Sequence, residues 1–303
     1  MPDLKPYLTY EQQVRHLIDN HGLIVDDEKA AMLVLSHINY YRLSGYAIGL
    51  YQAPDNEWFR PGVTFDQMHR LYRFDMLLRN MMLPIIEYIE INLRTKIAYT
   101  FAGKYGALGY QNRQNFQKSS VRNGKDLFDL LSDRIRQDIN HRKNLPFIQH
   151  HIQKYGGKFP LWVAIDVFSF GTLSRFYSLM LPEDQKAIAL QYGLSSQRLA
   201  SWISILNTVR NICAHYGRLY NMPLPAIPKL YREHQQYQSN RLFAVLLVIQ
   251  RLTFGSAEWN TFLVNLQGLL DEHADVVNLS FIGFPSEWFD VLSAAPHYHV
   301  IHR

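Results

Sequence analysis

Apolar residues recur at intervals of three and four positions through most of the chain, whereas strict alternation of apolar and polar residues is nearly absent. The first spacing is typical of amphipathic helices, and alternation is typical of strands. The pattern therefore predicts an all-α fold. Caps at Thr9 and at Asp26 to Glu28 would open two helices that form an N-terminal layer.

The segment from Gln52 to Glu57 is rich in turn-forming residues and is the best candidate for a boundary. After it, Thr64 begins a predicted long helix that runs to about Tyr105, with a kink at Pro84 because proline lacks an amide donor. We expect three parts: an N-terminal helical extension over residues 1–63, a helical bundle over 64–273, and a C-terminal segment over 274–303 that packs on the bundle and has a flexible end.

Five further helices are predicted: from about Lys125 to His141, over Leu161 to Leu181, from Pro182 to Gly193, over Asn240 to Leu252 and from about Ser256 to His273. The segment Leu161 to Leu181 is apolar on nearly every side, which indicates a buried helix. Ser195 would cap a helix that carries a polar strip.

That helix is predicted over Trp202 to Arg218, and a turn of about 100° per residue gives it two faces. Its apolar stripe should lie in the core and contains Trp202, Leu206, Val209, Cys213 and Tyr216. The opposite polar strip contains Ser204, Asn207, Asn211, His215 and Arg218, with Arg210 at its edge. Residues spaced by four are neighbours on a helix, so Asn211 and His215 can address one ligand.

Arg210, Asn211 and His215 form a combination suited to phosphate chemistry. An imidazole takes and gives a proton near neutral pH, and a guanidinium offers a fork of donors to a charged phosphorane, while Asn211 can orient either group. The spacing alone is not specific, and it recurs at Arg15 to His21, Arg134 to His141 and Arg136 to His141. A structural or merely solvated polar strip is the alternative to a catalytic one.

The composition excludes some kinds of site and permits others, but it does not identify a partner. The 303 residues are 48% hydrophobic and include one cysteine, Cys213, so an intrachain disulfide and a multi-cysteine metal site are excluded. The net charge of +5 permits a polyanionic partner but does not demonstrate one. No segment has the pattern of a signal peptide or a membrane span, so we expect a cytoplasmic protein without a membrane partner.

RNA carries its own nucleophile in the 2′-hydroxyl, so its cleavage needs only a base, an acid and stabilisation of the phosphorane. No dense Asp and Glu cluster suited to paired magnesium ions occurs, and we expect neither a metal nor a cofactor. One imidazole does not easily act both as the base and as the acid, because these two groups stand at opposite ends of an in-line displacement. We therefore expect a homodimer that places two Arg210 and two His215 side chains around one cleft.

Three motifs taken together resemble one protein family. They are INYYRLSGY at Ile38 to Tyr46, EINLR at Glu90 to Arg94, and RNICAHYGRLYN at Arg210 to Asn221. The Arg-Asn-x3-His part of the last is similar to the HEPN pattern of helical ribonucleases, and all three in order resemble the Abi-like (AbiD/AbiF) abortive-infection family. The resemblance implies a HEPN-like bundle and a bacterial toxin of phage defence or of a toxin–antitoxin system. Its implied partners are a single-stranded RNA substrate and an RNA antitoxin or another inhibitor.

Several other residues have two interpretations. Glu90 and Arg94 would support the site by orienting His215 or Arg210, or they form an ordinary ion pair one helical turn apart. Asn207, one turn before Asn211 on the polar strip, is also expected to support the site.

Tyr41, Arg42 and Arg218 are candidates for RNA contacts, because aromatic and basic side chains together bind single strands. For the residues around Tyr41, packing of the N-terminal layer on the core is the alternative. For the whole protein, the main alternative is a non-catalytic RNA-binding regulatory module that uses the same basic strip.

Overall fold

The computed structural model describes residues 6–53, 56–118, 121–122 and 125–296. Within these residues the backbone is mainly helical, and its strands form two short antiparallel pairs. The predicted all-α class is confirmed.

The helices follow one another closely along the chain. Helices α1 to α4 are Tyr10–His21, Glu28–His37, Tyr40–Ser44 and Phe65–Tyr105. Helices α5 to α9 are Leu127–His141, Pro146–Tyr155, Leu161–Ala164, Phe170–Leu179 and Pro182–Leu190. Helices α10 to α13 are Ser196–Ala214, Leu242–Thr253, Ala257–Glu272 and Trp288–Ser293. Strand β1 (Tyr51–Ala53) pairs with β2 (Asn56–Phe59), and β3 (Val121–Arg122) pairs with β4 (Lys125–Asp126).

The predicted helix starts are confirmed where a local cap marks them. Thr9 and Thr64 each form a capping box with the glutamine three residues later. The threonine hydroxyl accepts the backbone N–H of that glutamine, and the glutamine side chain accepts the backbone N–H of the threonine. Asp27, Ser195 and Ser256 each accept a backbone N–H with their side chains.

Helix α4 is the central element of the fold. It has 41 residues and is therefore about 60 Å long. Its sides pack against α10, α11 and α12 and against α7 and α9, so it lies in the middle of the core. The helix continues through Pro84, and the predicted kink there stays a prediction.

The segment Leu161 to Leu181 is not one helix, so that part of the prediction is wrong. The short helix α7 and a 3-10 turn at Ile165–Val167 end before Ser169, and α8 starts after it. Ser169 caps α8 by accepting from the Thr172 backbone N–H at 3.1 Å. A capping serine competes with helical hydrogen bonding, which favours a new start at this position.

Several elements escaped the sequence analysis, among them α3, α13, the β3–β4 pair, α6 and the hairpin of β1 and β2. Helix α6 begins with Pro146 immediately after the break expected there, and proline suits the first position of a helix. The hairpin of β1 and β2 falls on the predicted turn, where Phe59 is buried and the other β2 residues are exposed. One buried side chain in four residues is too weak a pattern to indicate a strand.

One helix from each flank of the predicted bundle packs on it. Helix α3 contacts α4 on the N-terminal side, and α13 contacts α11 and α12 on the C-terminal side. The expected flexible end, residues 297–303, lies outside the described residues. The proposed division into three parts stays a prediction. Among the described helices, none is long and apolar enough to cross a bilayer.

Candidate active site

Helix α10 carries the Arg210 motif and fixes which of its side chains reach solvent. Trp202, Leu206, Val209 and Cys213 are buried against the core, as the apolar stripe predicts. This burial places the polar strip on the outer side of the helix.

The end of α10 differs from the prediction. The helix stops at Ala214, so Tyr216 and Arg218 are not part of it. Tyr216 is 69% exposed and does not lie in the core, as the apolar stripe would require. The backbone N–H groups of Tyr216 and Gly217 donate to the carbonyls of Cys213 and Ile212 at 3.3 and 2.7 Å. These two bonds are a Schellman motif, which reverses the chain after a helix.

His215 is the C-cap residue of α10, and its side chain is exposed. Its imidazole makes no hydrogen bond with another residue of the described chain, so both ring nitrogens are open to a ligand. Asn211 lies one turn earlier, and its carbonyl accepts the backbone N–H of His215 at 3.0 Å.

A chain of side-chain contacts links three residues of the strip. Arg210 Nη1 donates to Asn211 Oδ1 at 3.2 Å, and Asn211 Nδ2 donates to Asn207 Oδ1 at 3.4 Å. All three side chains are partly buried. Asn211 therefore restrains Arg210 directly, and Asn207 restrains Asn211.

Arg210 projects into a cleft between α4, α10 and the segment before α8. Two cavities of about 740 and 530 Å³ share the lining residues Glu90, Arg94, Asp166 and Arg210. We call these two adjoining cavities the Arg210 cleft. Its larger part extends to the end of α5, and its smaller part extends to Ala214 at the end of α10.

Glu90 and Arg94 form the intrahelical ion pair expected from their spacing. Arg94 also donates to the carbonyl oxygens of Ile165 and Phe168, the latter at 2.7 Å. The pair lines the same cleft as Arg210 but makes no described hydrogen bond to Arg210 or His215. Its observed contacts therefore hold the Ile165 to Ser169 wall of the cleft in place.

Tyr41, Arg42 and Arg218 gather at the turn that follows α10. Arg42 Nη1 donates to the Tyr216 carbonyl at 2.7 Å, and the Arg218 guanidinium lies 5.7 Å from the centre of the Tyr46 ring. Tyr41 is 87% exposed. A shallow pocket of about 420 Å³ joins these residues. Burial lowers the pKa of Arg218, while Tyr46 and Asp75 oppose this shift.

The turn after α10 rests on a buried carboxylate that the sequence analysis missed. Asp75 on α4 is fully buried, and its Oδ1 accepts the backbone N–H groups of Leu219 and Tyr220 at 3.0 and 2.8 Å. Its Oδ2 accepts the Tyr46 hydroxyl at 2.6 Å and the Arg79 guanidinium. The available signal was the four-residue spacing of Asp75 and Arg79 inside an apolar stretch of α4.

These contacts and the shared lining of the Arg210 cleft bring the three motifs of the sequence into one region. The family model described as Abi-like protein matches residues 33–221, which is more than half of the chain. The chain belongs to the Abi-like protein family. The matched range includes α3 with Tyr41, α4, the Arg210 cleft and the turn after α10. Neither a curated protein nor a solved structure matches the chain.

Four carboxylates line the Arg210 cleft of this Abi-like protein; Asp166 and Glu87 form no ion pair among the described residues, whereas the other two are engaged. Glu90 pairs with Arg94, and Asp138 Oδ2 accepts the Ser169 backbone N–H at 2.8 Å and the Thr172 hydroxyl at 2.5 Å. Arg210 forms no ion pair with a carboxylate of the described residues, so its charge is available to an anionic ligand.

The described residues hold no group of three or more His, Cys, Asp or Glu side chains placed to bind a metal ion. Within the motif itself, burial raises the pKa of the Cys213 thiol to about 12. A buried, protonated thiol is a packing residue, because the reactive form of cysteine is the thiolate.

Proposed function

We propose that this Abi-like protein is a HEPN-type endoribonuclease toxin of an abortive-infection or toxin–antitoxin system and that it cleaves single-stranded RNA without a metal ion. Membership of the Abi-like family supports a role in abortive infection. The observation that carries the catalytic part is the arrangement of Arg210: it enters a cleft, is held by Asn211 and has no carboxylate partner among the described residues.

The proposed chemistry follows from the side chains. Arg210 binds the scissile phosphate and stabilises the charge of the phosphorane. His215, exposed one turn beyond Asn211, transfers a proton at the 2′-hydroxyl or at the leaving 5′-oxygen. Asn211 positions Arg210 through the observed hydrogen bond, with Asn207 behind it.

Tyr41, Arg42 and Arg218 would guide the RNA strand to the site. They lie beside Tyr216, which directly follows His215. The exposed side chains of Tyr41 and Arg42 and the half-buried guanidinium of Arg218 suit a single-stranded polyanion. The same cluster also favours the second candidate function, an RNA-binding regulatory module without catalysis.

An assay with labelled single-stranded RNA in EDTA separates the two functions. The nuclease predicts cleavage that falls by about 100-fold or more in Arg210→Ala and in His215→Ala. Ser204→Ala is a matched control, because Ser204 is exposed on the same helix and does not line the cleft. RNA binding without cleavage by the wild type supports the regulatory module and rejects the nuclease.

Two partner proposals accompany the activity. A homodimer with a composite site stays a prediction, and sedimentation velocity measures the mass that tests it. An RNA antitoxin or another inhibitor likewise stays a prediction; co-purification of RNA with the inactive Arg210→Ala protein would support the RNA form.

A further inference from the structure

A further cavity of about 620 Å³ adjoins the Arg210 cleft and has no part in the chemistry proposed above. It lies between α4 and the segment formed by α7 and the following 3-10 turn, and we call it the α7 pocket. Its lining shares Arg94 and Asp166 with both parts of the Arg210 cleft. A group attached to a phosphate in the cleft can therefore reach this pocket.

The α7 pocket exposes two aromatic rings. Trp162 on α7 and Tyr99 on α4 both line it, and their side chains are 55% and 86% exposed. Neither ring contacts another aromatic ring of the described residues, so both have faces open to a ligand. Exposed aromatic faces beside a phosphate site are surfaces on which a nucleobase stacks.

Asp166 supplies a free carboxylate between the pocket and the cleft. It is exposed, and its side chain makes neither an ion pair nor a hydrogen bond with another described residue. Arg94 donates to the carbonyl oxygens of Ile165 and Phe168, which lie on either side of Asp166 in the sequence. The backbone that carries the carboxylate is therefore held in place, and both of its oxygens are open to donors.

The hydrogen-bonding edges of the four RNA bases differ in how they meet such a carboxylate. An ionised carboxylate offers two acceptor oxygens and no donor. Guanine presents two adjacent donors, its N1–H and the amino group on C2. Uracil presents one N–H, and adenine and cytosine each place an acceptor nitrogen next to their amino group. A carboxylate therefore favours guanine and opposes the bases that face it with an acceptor.

The dimensions suit the base of a nucleotide whose phosphate lies in the cleft. Tyr99 follows Arg94 by five residues on α4, which places it about 7.5 Å further along the helix axis. A cavity of this volume is also within the usual range for small-ligand sites. One nucleotide can thus bridge the cleft and the pocket.

A second copy of the chain fits the α7 pocket less well than a base does. A two-fold contact brings the same patch from both chains, and the cation in this patch, Arg94, is already paired with Glu90. Such a contact would bury the Asp166 carboxylate without a cation to pair with it, which is costly. The N–H groups of guanine satisfy the carboxylate instead.

We propose that the α7 pocket binds a guanine base next to the scissile phosphate, with the base stacked on Trp162 and Tyr99 and its N1–H and amino group donating to Asp166. This inference rests on the proposed ribonuclease function and specifies the substrate. The pocket uses residues of one chain and leaves the composite arrangement of Arg210 and His215 unchanged.

The base preference can be measured directly. Sequencing of the product ends from a random single-stranded RNA in EDTA should show guanine enriched about tenfold at one position beside the cleaved phosphate. Inosine lacks the amino group on C2, so replacing that guanine by inosine should slow cleavage about tenfold through the loss of a hydrogen bond to a charged group. Asp166→Ala should cleave the guanine and inosine strands at equal rates.

Variants of the ring test the stacking contact. Trp162→Ala should lower kcat/KM about tenfold, whereas Trp162→Phe keeps a ring and should retain most of it. Asp271→Ala is the matched control for the carboxylate, because Asp271 is exposed on α12 and does not line the pocket or the cleft. It should discriminate guanine from inosine as the wild type does.

Several results would overturn the guanine pocket. They are cleavage by the wild type without a guanine preference, the same guanine-to-inosine ratio in the wild type and Asp166→Ala, and loss of cleavage at every base in Asp166→Ala. A lower mass of Trp162→Ala in sedimentation velocity would identify the rings as a contact between copies and overturn it too. A wild type that cleaves no RNA would reject the nuclease itself, and with it this substrate.

Discussion

Asp75 shows how a single side chain can hold the site in place without touching a ligand. It is buried beside Arg79, and it receives the backbone N–H groups that follow the α10 turn. A buried charge of this kind is tolerated when it is paired and fully hydrogen-bonded. The carboxylate therefore ties the turn beyond His215 to the central helix.

Asp75→Asn should lower the free energy of unfolding by about 3–5 kcal/mol, because it leaves the Arg79 guanidinium buried without its counterion. Urea unfolding measures this change. Asp275→Asn is the control, since Asp275 forms an exposed pair with Arg70 and its loss should change stability little. Equal effects of the two substitutions would contradict the role given to Asp75.

The buried thiol of Cys213 should make the folded protein less stable at alkaline pH. Burial raises the pKa of its thiol from 9.0 to about 12, so the folded state keeps a proton that the unfolded state releases. The contribution of the protonated thiol to the free energy of unfolding is therefore complete below about pH 9 and declines as the pH rises towards 12. Between about pH 8 and 10, the wild type should lose about 1.4 kcal/mol more than Cys213→Ala in urea unfolding. Parallel losses would show that the thiol does not titrate in this way.

At the scale of elements, capping residues in the sequence predicted where helices start, whereas contacts between distant residues contributed to where a helix breaks. Thr9, Thr64 and Ser195 cap helices with bonds to their own neighbours, so the sequence was sufficient there. The break before Ser169 has a local cap in Ser169 and also a distant contact, because Arg94 lies more than seventy residues away and binds two carbonyls of the segment. Periodicity in a short window cannot contain such a contact.

The end of α10 was mispredicted for a related reason. Tyr216 adopts a φ of +59°, a left-handed conformation that non-glycine residues rarely take and that costs about 1–2 kcal/mol. A tyrosine gives no sequence signal for such a stop. Gly217 follows it, and an added Cβ there would lie 3.0 Å from Ile212 Cγ2 and 3.2 Å from the Ile212 carbonyl oxygen.

Two neighbouring substitutions should therefore act in opposite directions. Tyr216→Gly should raise the free energy of unfolding by about 1 kcal/mol, because glycine adopts the left-handed conformation without strain and the tyrosine ring is exposed. Gly217→Ala should lower it, because the new methyl group crowds Ile212. Urea unfolding of both variants is the measurement. Destabilisation by Tyr216→Gly would show that the exposed ring contributes more than the backbone strain costs.

At the scale of the whole molecule, α4 joins parts of the chain that are far apart in sequence. Its residue Asp75 contacts both the N-terminal motif and the turn after α10. Further along the helix, Arg94, which pairs with Glu90, contacts the wall of the cleft. The sequence predicted Arg210, Asn211 and His215 as candidates. It did not predict the cleft, because the cleft depends on the packing of the broken α7–α8 segment against α4 and α10 and of α5 against α8.

The proposed composite site predicts the behaviour of mixed proteins. When Arg210→Ala and His215→Ala are mixed and allowed to exchange subunits, a mixed dimer has one intact Arg210 and one intact His215 around its shared cleft. We therefore expect the mixture to cleave RNA faster than the sum of the separate rates. A rate equal to that sum would contradict the composite site.

The central claim is that the Arg210 cleft cleaves RNA through the 2′-hydroxyl of the substrate itself. The most direct measurement is mass spectrometry of the product ends, with a single-stranded RNA in EDTA and a matched strand carrying 2′-deoxy sugars. The account predicts 2′,3′-cyclic phosphate and 5′-hydroxyl ends from the RNA, an intact deoxy strand, and no products from Arg210→Ala. Products ending in a 3′-hydroxyl and a 5′-phosphate, or cleavage of the deoxy strand, would contradict it.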